Sequence, residues 1–282
     1  MSKKKILIVI VTYNSEKHLQ WNIDGLAGNT SIDLCIVDSG SKDTTYIDEL
    51  ICPANISLKV IKEKNVGFVK GNNLALDDLP LYDYVLYLNP DAKIEEKDLA
   101  KLLDVADLPV NANYGAFTVP LIRYDINKKA SLDIYDSVGL GCSPIGRWYD
   151  IDANKPVQHS DKKSGISDIE GICGAFMLVR GHILVEALDS RGKPGFESSF
   201  YMYKEDIELS CRIIKQGYKL GLFHDVIAYH CRGWQGSRKD IAYWARHQSA
   251  KNDIFVACRY KKKAIPFSIA KYILVRFFEG GK

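Results

Sequence analysis

One aspartate, one acidic pair and one histidine are the side chains of this sequence best placed to do chemistry. Asp91 closes the tripeptide Asn89-Pro90-Asp91, directly after the apolar run Tyr84-Val85-Leu86-Tyr87-Leu88. Ligands of open α/β sheets collect outside the carboxyl ends of the strands, so a carboxylate delivered there can hold the divalent cation that neutralises a diphosphate. Glu205-Asp206 opens a stretch in which Ile207, Leu209, Ile213 and Ile214 form an apolar stripe, predicting a helix over 205–216 stopped by Gly217. The dipole and free N–H groups of a helix start favour anions, and one acid of such a pair can face a pocket while its neighbour anchors the helix. His230 follows Val226-Ile227-Ala228 and can offer a ring nitrogen to a metal or a hydrogen bond to a diphosphate. Each has a plainer alternative: an ordinary turn, a helix cap and a core histidine.

The elements that must position these groups begin with four apolar runs, at residues 6–11, 34–37, 58–61 and 84–88. Continuous β-branched runs of this kind suit parallel strands covered on both faces, and each stops at small and polar residues on one edge. A helix is expected from near Ser15. The class is α/β, with a Rossmann-like, mostly parallel central sheet flanked by helices and a C-terminal helical extension. Residues 114–119 predict a further strand, and 123–167 a set of loops and short strands shaping a pocket. Gly171 to Gly174 leads into another buried strand, and the chain past Tyr243 reads as helical. The boundaries that follow are a nucleotide-binding half over 1–110, an acceptor half over 111–240 and the extension over 241–282.

With 282 residues, 46% hydrophobic and 26% charged, the chain is globular, and a net charge of +3 is too small to imply nucleic acid. Seven cysteines include no Cys-x-x-Cys and suit reduced thiols of the cytoplasm. The N-terminus lacks the long apolar region of a signal peptide, and no window suits a membrane span. The two sequons, at Asn29 and Asn55, are read as chance.

Four motifs line up in order: Thr12-Tyr13-Asn14-Ser15, Asp38-Ser39-Gly40-Ser41-Lys42-Asp43, Asn65-Val66-Gly67 with Gly71-Asn72-Asn73, and Leu88-Asn89-Pro90-Asp91. Gly174-Ala175-Phe176-Met177-Leu178, the run from Phe200 to Leu209, and His230 follow. Together they closely resemble the family 2 glycosyltransferases, in their rhamnosyltransferase-like branch, over roughly residues 5 to 260. The resemblance implies a GT-A fold, a nucleotide-sugar donor, Mg²⁺ or Mn²⁺, and inversion at the anomeric carbon. It implies donor contacts from Thr12, Tyr13, Asn14, Asp38, Gly67, Lys70, Asn89 and Asp91, with Asp38 accepting a hydrogen bond from the base or ribose. Asp91 takes the place of the last aspartate of the family's Asp-x-Asp motif, with Asn89 where the first would stand. The metal ligands are then Asp91 and His230. Asp206 is expected to be the general base, with Glu205 as its competitor, and Trp148, Gly174, Ala175 and Glu205 to line the acceptor side.

The expected reaction is transfer of a sugar, L-rhamnose from dTDP-rhamnose, to a growing cell-surface polysaccharide or a lipid-linked glycan. A UDP-hexose donor is the alternative within enzymes, and a non-catalytic nucleotide-sugar or glycan-binding module the alternative outside them. A dehydrogenase would require Gly-x-Gly-x-x-Gly after the first strand, where this chain has Thr-Tyr-Asn-Ser. The loop Arg232-Gly233-Trp234-Gln235-Gly236-Ser237-Arg238 could fold over phosphates or be plain surface. Lys261-Lys262-Lys263, Lys271 and Arg276 interleave with Ile269, Ile273, Leu274, Phe277 and Phe278, a pattern that suits either a helix on anionic lipid or one packed on protein. The expected location is therefore cytoplasmic, with the cytoplasmic membrane face and a homo-oligomer both left open.

Overall fold

A computed structural model describes residues 4–157, 163–232 and 241–279. Strands β1 (Ile6–Thr12), β2 (Ile32–Ser39), β3 (Ile56–Glu63) and β4 (Tyr84–Leu88) run parallel, in the spatial order β4-β1-β2-β3. Helices α1 (Leu19–Asp24), α2 (Thr45–Asp48) and α3 (Gly67–Asn73) occupy the connections. Alternate residues of β1 serve opposite faces: Ile6, Ile8 and Ile10 enter one apolar core, Leu7, Val9 and Val11 the other. That double burial is why the strand reads as an unbroken apolar run.

After β5 (Ala92–Lys93) and α4 (Glu96–Ala106), the chain forms β6 (Tyr114–Thr118), β7 (Leu121–Asp125), β8 (Ala130–Ser137), β9 (Leu140–Cys142), β10 (Trp148–Asp150) and β11 (Ile166–Ile169). Then come β12 (Phe176–Arg180), α5 (Gly181–Glu186), α6 (Glu205–Lys215), β13 (Lys219–Phe223) and β14 (Ala228–His230). The full sheet has the order β11-β13-β6-β12-β4-β1-β2-β3, and β5-β14-β7-β8 form a second, smaller one. Helices α7 (Tyr243–Tyr260) and α8 (Ile265–Ile273), the latter continued by a wide turn over Leu274–Phe278, complete the chain.

The central sheet is mostly parallel, as expected: β4-β1-β2-β3 pair parallel and so do β6 and β13, while β12 runs antiparallel to both β4 and β6, and β11 to β13. Two expectations change. β3 is an edge strand with Leu58 and Val60 exposed, not one covered on both faces. The first helix starts at Leu19; the Ser15 carbonyl instead accepts the N–H groups of His18 and Leu19 in a tight turn. The expected C-terminal extension is packed against the rest: Phe255 of α7 meets Phe200 edge-on at 5.1 Å, and the Tyr260 hydroxyl donates to Glu208 of α6 at 2.5 Å.

Candidate active site

The second sheet decides which side chains meet Asp91. β5 begins at Ala92, immediately after Asp91, and pairs with β14 so that His230 stands opposite Ala92. The Asp91 carbonyl also accepts the Cys231 N–H at 2.8 Å. The register therefore brings the Asp91 carboxylate to 3.3 Å from His230 Nε2, while Nδ1 lies 2.8 Å from Asp136 on the neighbouring hairpin. Arg232 Nη1 donates to the other Asp136 oxygen at 2.9 Å, and Nη2 to Asp150 at 3.0 Å. Burial opposes a charged imidazole, but hydrogen bonds to Asp136 and Asp91, with their charges, raise His230 to about 9. Burial likewise works to raise the Asp91 carboxyl, yet the His230 hydrogen bond and charge hold it below its ordinary value.

Among the described residues no group of three or more His, Cys, Asp or Glu side chains is arranged to hold a metal ion. A two-ligand site does fit. On giving up the Nε2 proton as a metal binds, His230 would keep Nδ1–H donating to Asp136 and offer Nε2 as the ligating nitrogen, the carboxylate–histidine arrangement that orients metal-bound imidazoles. One carboxylate and one imidazole then leave positions for diphosphate oxygens and water, which suits Mg²⁺ or Mn²⁺ held with its substrate. Asn89 is beside this pair, its side-chain oxygen buried without a partner.

The acidic pair sits at the start of α6 on strained backbone. Tyr203 and Lys204 both adopt left-handed conformations, with φ of 70° and 72°, and neither is glycine. Asn252 of α7 stabilises this turn by donating to the carbonyls of Met202, at 3.1 Å, and Tyr203, at 2.8 Å. Asp206 then accepts from the Gly174 N–H at 3.0 Å and from its neighbour Ile207 at 2.8 Å. Glu205 is 8% exposed, and its Oε2 has no hydrogen-bond partner. Burial and the Asp206 charge push Glu205 up to about 8. Burial raises Asp206 too, countered by the Gly174 N–H and Lys204, so both carboxyls of the pair are pushed upward.

Gly174-Ala175 joins the two clusters. As Gly174 holds Asp206, the Ala175 carbonyl accepts the Asn89 N–H at 3.0 Å, so one dipeptide at the start of β12 connects the Asp91 turn to the acidic pair. This changes the part expected of Ala175: at 2% exposure it is core, and it positions the site without reaching an acceptor.

The nucleotide edge also departs from expectation. Asp38 is 1% exposed, and its oxygens accept from Thr12 Oγ1, the Gly40 and Ser41 N–H groups and the Ser41 hydroxyl. This carboxylate organises its own turn. Asn14, at φ 50°, accepts the Lys42 N–H and bridges the turns after β1 and β2, beside Tyr13 at 52% exposure. Gly67 has φ 81°, and a Cβ there would lie 2.5 Å from the Tyr201 ring, so glycine is required by both conformation and space. Lys70 turns away, lining a separate cavity of about 460 Å³ with Arg191 and Lys193.

A larger cavity, about 890 Å³, lies between the acidic pair's turn and the C-terminal helices. Trp148, Tyr203, Lys204 and Arg232 line one side, Phe267, Ala270 and Leu274 the other. Residues Gly233 to Arg238 of the candidate phosphate loop lie outside the described residues. Sequence reasoning missed Asp136, Asp150 and Asn252. No spacing signals them, because Asp136 reaches His230 across 94 residues.

Residues 7–176 match the model of the family Glycosyl transferase family 2. Rhamnosyltransferase WbbL of Escherichia coli is 26% identical over 237 residues, covering 80% of this chain and 81% of that protein. Among solved structures, GalNAc-T7 with UDP, GalNAc and Mn²⁺ superposes with a TM-score of 0.68 at 15% identity, over 95% of this chain. The chain spans about half, 52%, of that longer protein. The mannosyltransferase PcManGT of Pyrobaculum calidifontis, with GDP-Man and Mn²⁺, gives 0.58 at 16% identity, covering 97% of this chain and 70% of its own. The fold is GT-A.

Proposed function

Since the chain belongs to glycosyl transferase family 2, we propose that it transfers a hexose from a nucleoside-diphosphate donor to a glycan hydroxyl, with inversion, in a metal-dependent reaction. The observation that carries this reading is the Gly174-Ala175 link, which holds a diphosphate-side carboxylate turn and an acceptor-side base in one fixed relation. Asp206 accepts the proton of the acceptor hydroxyl as its oxygen attacks the anomeric carbon. The bond from that carbon to the diphosphate oxygen breaks on the opposite face, which inverts the configuration. Glu205 keeps its proton and leaves Asp206 as the anion. Asp91 and His230 would hold the divalent cation, Mg²⁺ or Mn²⁺, whose chemistry when bound is Lewis-acid stabilisation of the leaving diphosphate. Arg232, kept in place by Asp136 and Asp150, adds positive charge to the same side.

Thr12, Tyr13, Asn14 and Gly67 supply the loops bordering the nucleoside, and Trp148 offers a ring face to the acceptor sugar. The favoured donor is dTDP-rhamnose, supported by the similarity to rhamnosyltransferase WbbL, and the acceptor a cell-surface polysaccharide or lipid-linked glycan. A UDP-hexose is the second reading, supported by UDP in the GalNAc-T7 structure. We divide the chain at 240, with 1–240 carrying the transferase and 241–282 supporting it. Thermal-shift titration with dTDP-rhamnose, UDP-hexoses and GDP-mannose, with and without Mn²⁺, tests the reading. Metal-dependent stabilisation by one donor is expected, and none by any would overturn it.

A further inference from the structure

The wall of the large cavity continues onto an uncovered apolar face. Pro266, Ile269, Ala270, Ile273, Leu274, Phe277 and Phe278 are exposed along one side of α8 and its wide turn, at a spacing of three to four residues. Phe277 and Phe278 are 72% and 73% exposed, unusual for adjacent large aromatics. Lys262 and Lys263 at one end and Arg276 at the other are exposed beside this stripe. Over residues 261–279 there are five basic side chains and one acid, Glu279, which pairs with Arg246 at 3.1 Å. Among the described residues no helix is long and apolar enough to cross a membrane. An amphipathic helix with cations beside a protruding aromatic face is instead suited to lie in the headgroup region of an anionic bilayer.

Ala270 and Leu274 belong both to this exposed stripe and to the lining of the 890 Å³ cavity. The cavity therefore opens beside the apolar face, and its inner end reaches Lys204, next to the acidic pair. Its charged lining holds five cations, Arg147, Lys204, Arg232, Arg246 and Lys271, and one acid, Asp253; Arg232 is held by Asp136 and Asp150, Arg246 by Glu279, and Lys204 and Lys271 by Asp253. Apolar walls near the mouth and cations within complement an amphiphile bearing an anionic phosphate.

We propose that the α8 face rests on an anionic lipid bilayer and that the cavity opening beside it receives the phosphate of a bilayer-borne acceptor. The second half of this proposal rests on the glycosyltransferase reading; the first does not. Flotation with vesicles of equimolar phosphatidylglycerol and phosphatidylcholine, against phosphatidylcholine alone, tests the surface. Binding to the anionic vesicles at low salt, weakening as salt rises, is the expected result. Phe277→Ser with Phe278→Ser should lower it at least about tenfold, and Lys262→Glu with Lys263→Glu by a similar factor. No binding to anionic vesicles would overturn the surface. So would a dimer that the Phe277→Ser, Phe278→Ser variant dissolves, because the face would then belong to a second copy. For the cavity, dodecyl phosphate below its micellar concentration should bind at one equivalent, with Arg147→Glu weakening it about tenfold or more. No saturable binding, or equal affinity for a neutral dodecyl glycoside, would remove the acceptor assignment. Donor stabilisation measured on the same protein separates these failures from failure of the transferase reading.

Discussion

Two buried carboxylate turns face the same edge of the sheet and have opposite character. Asp38, at the end of β2, has both oxygens engaged, by the Thr12 hydroxyl of β1 and by two backbone N–H groups and a serine hydroxyl of its own turn. Glu205-Asp206, before α6, combines left-handed backbone, a carboxyl oxygen without a partner and titration pushed upward by burial. Buried polar groups normally find partners, so the first turn follows the rule and the second departs from it. The difference separates architecture from chemistry: a fully bonded carboxylate holds a loop still, while a buried acidic pair that is not fully bonded can keep one member protonated and leave the other to accept a proton.

The strongest break in this contrast would come from Asp206→Asn. Turnover should fall by roughly 10²–10⁴-fold, the usual contribution of a general base, with donor affinity unchanged. Equal turnover would move the base elsewhere and leave the acidic pair as a helix cap. Asp136→Asn comes next, with metal affinity read from the Mn²⁺ dependence of turnover expected to drop roughly 10–100-fold. An unaltered Mn²⁺ response would separate His230 from the metal.

Asn252→Ala sharpens the strained side of the comparison. Releasing the Tyr203–Lys204 turn should reduce kcat by about tenfold with little change in the donor KM, as expected of a group acting on the transition state through geometry. A change confined to KM would make Asn252 a binding residue. On the satisfied side, Asp38→Asn should cost about 1–3 kcal/mol of stability, because it turns buried donors against a side chain that no longer accepts from all of them. Urea unfolding measures this, and an unchanged midpoint would mean that the turn tolerates the loss.

The smallest effect concerns pH. Glu205 titrates near 4.5 when unperturbed and at about 8 in the fold, so the folded state binds this proton more tightly than the unfolded state. Its contribution to stability is fully present below 4.5 and is lost as pH rises through about 8. Glu205→Gln should flatten that decline in the melting temperature, and a parallel decline in both proteins would place the proton elsewhere.

Much of the nucleotide half is legible because each of its strands carries its own signal. Tyr84–Leu88 is apolar at every position and stops at a turn, and the expected strand matches the one observed. The engagement of Asp38 is not foreseen by a reading that assigns it to the base or ribose, although Asp-Ser-Gly-Ser is a sequence whose aspartate can bond its own turn. The pairing of Asp91 with His230 could be anticipated only as a candidate, because it depends on the register of β5 with β14. Asp136 lies on a polar hairpin whose pairing no local pattern encodes. The left-handed Tyr203-Lys204 was hidden for another reason. Neither residue favours that conformation, and the interaction that enforces it comes from a helix far along the chain.

That last contact also sets an order of events during synthesis. Every turn we assign to the nucleoside precedes Asn252, itself 50 residues beyond Met202, in the order of translation. A nascent chain can thus assemble its donor-facing sheet while the backbone beneath the acidic pair is still unsupported. Chains that stop before α7 should bind nucleotide and transfer nothing, so a truncated product would compete for donor instead of glycosylating at random. Translating the chain to residue 240 and assaying both properties would test this, and measurable transfer would refute it.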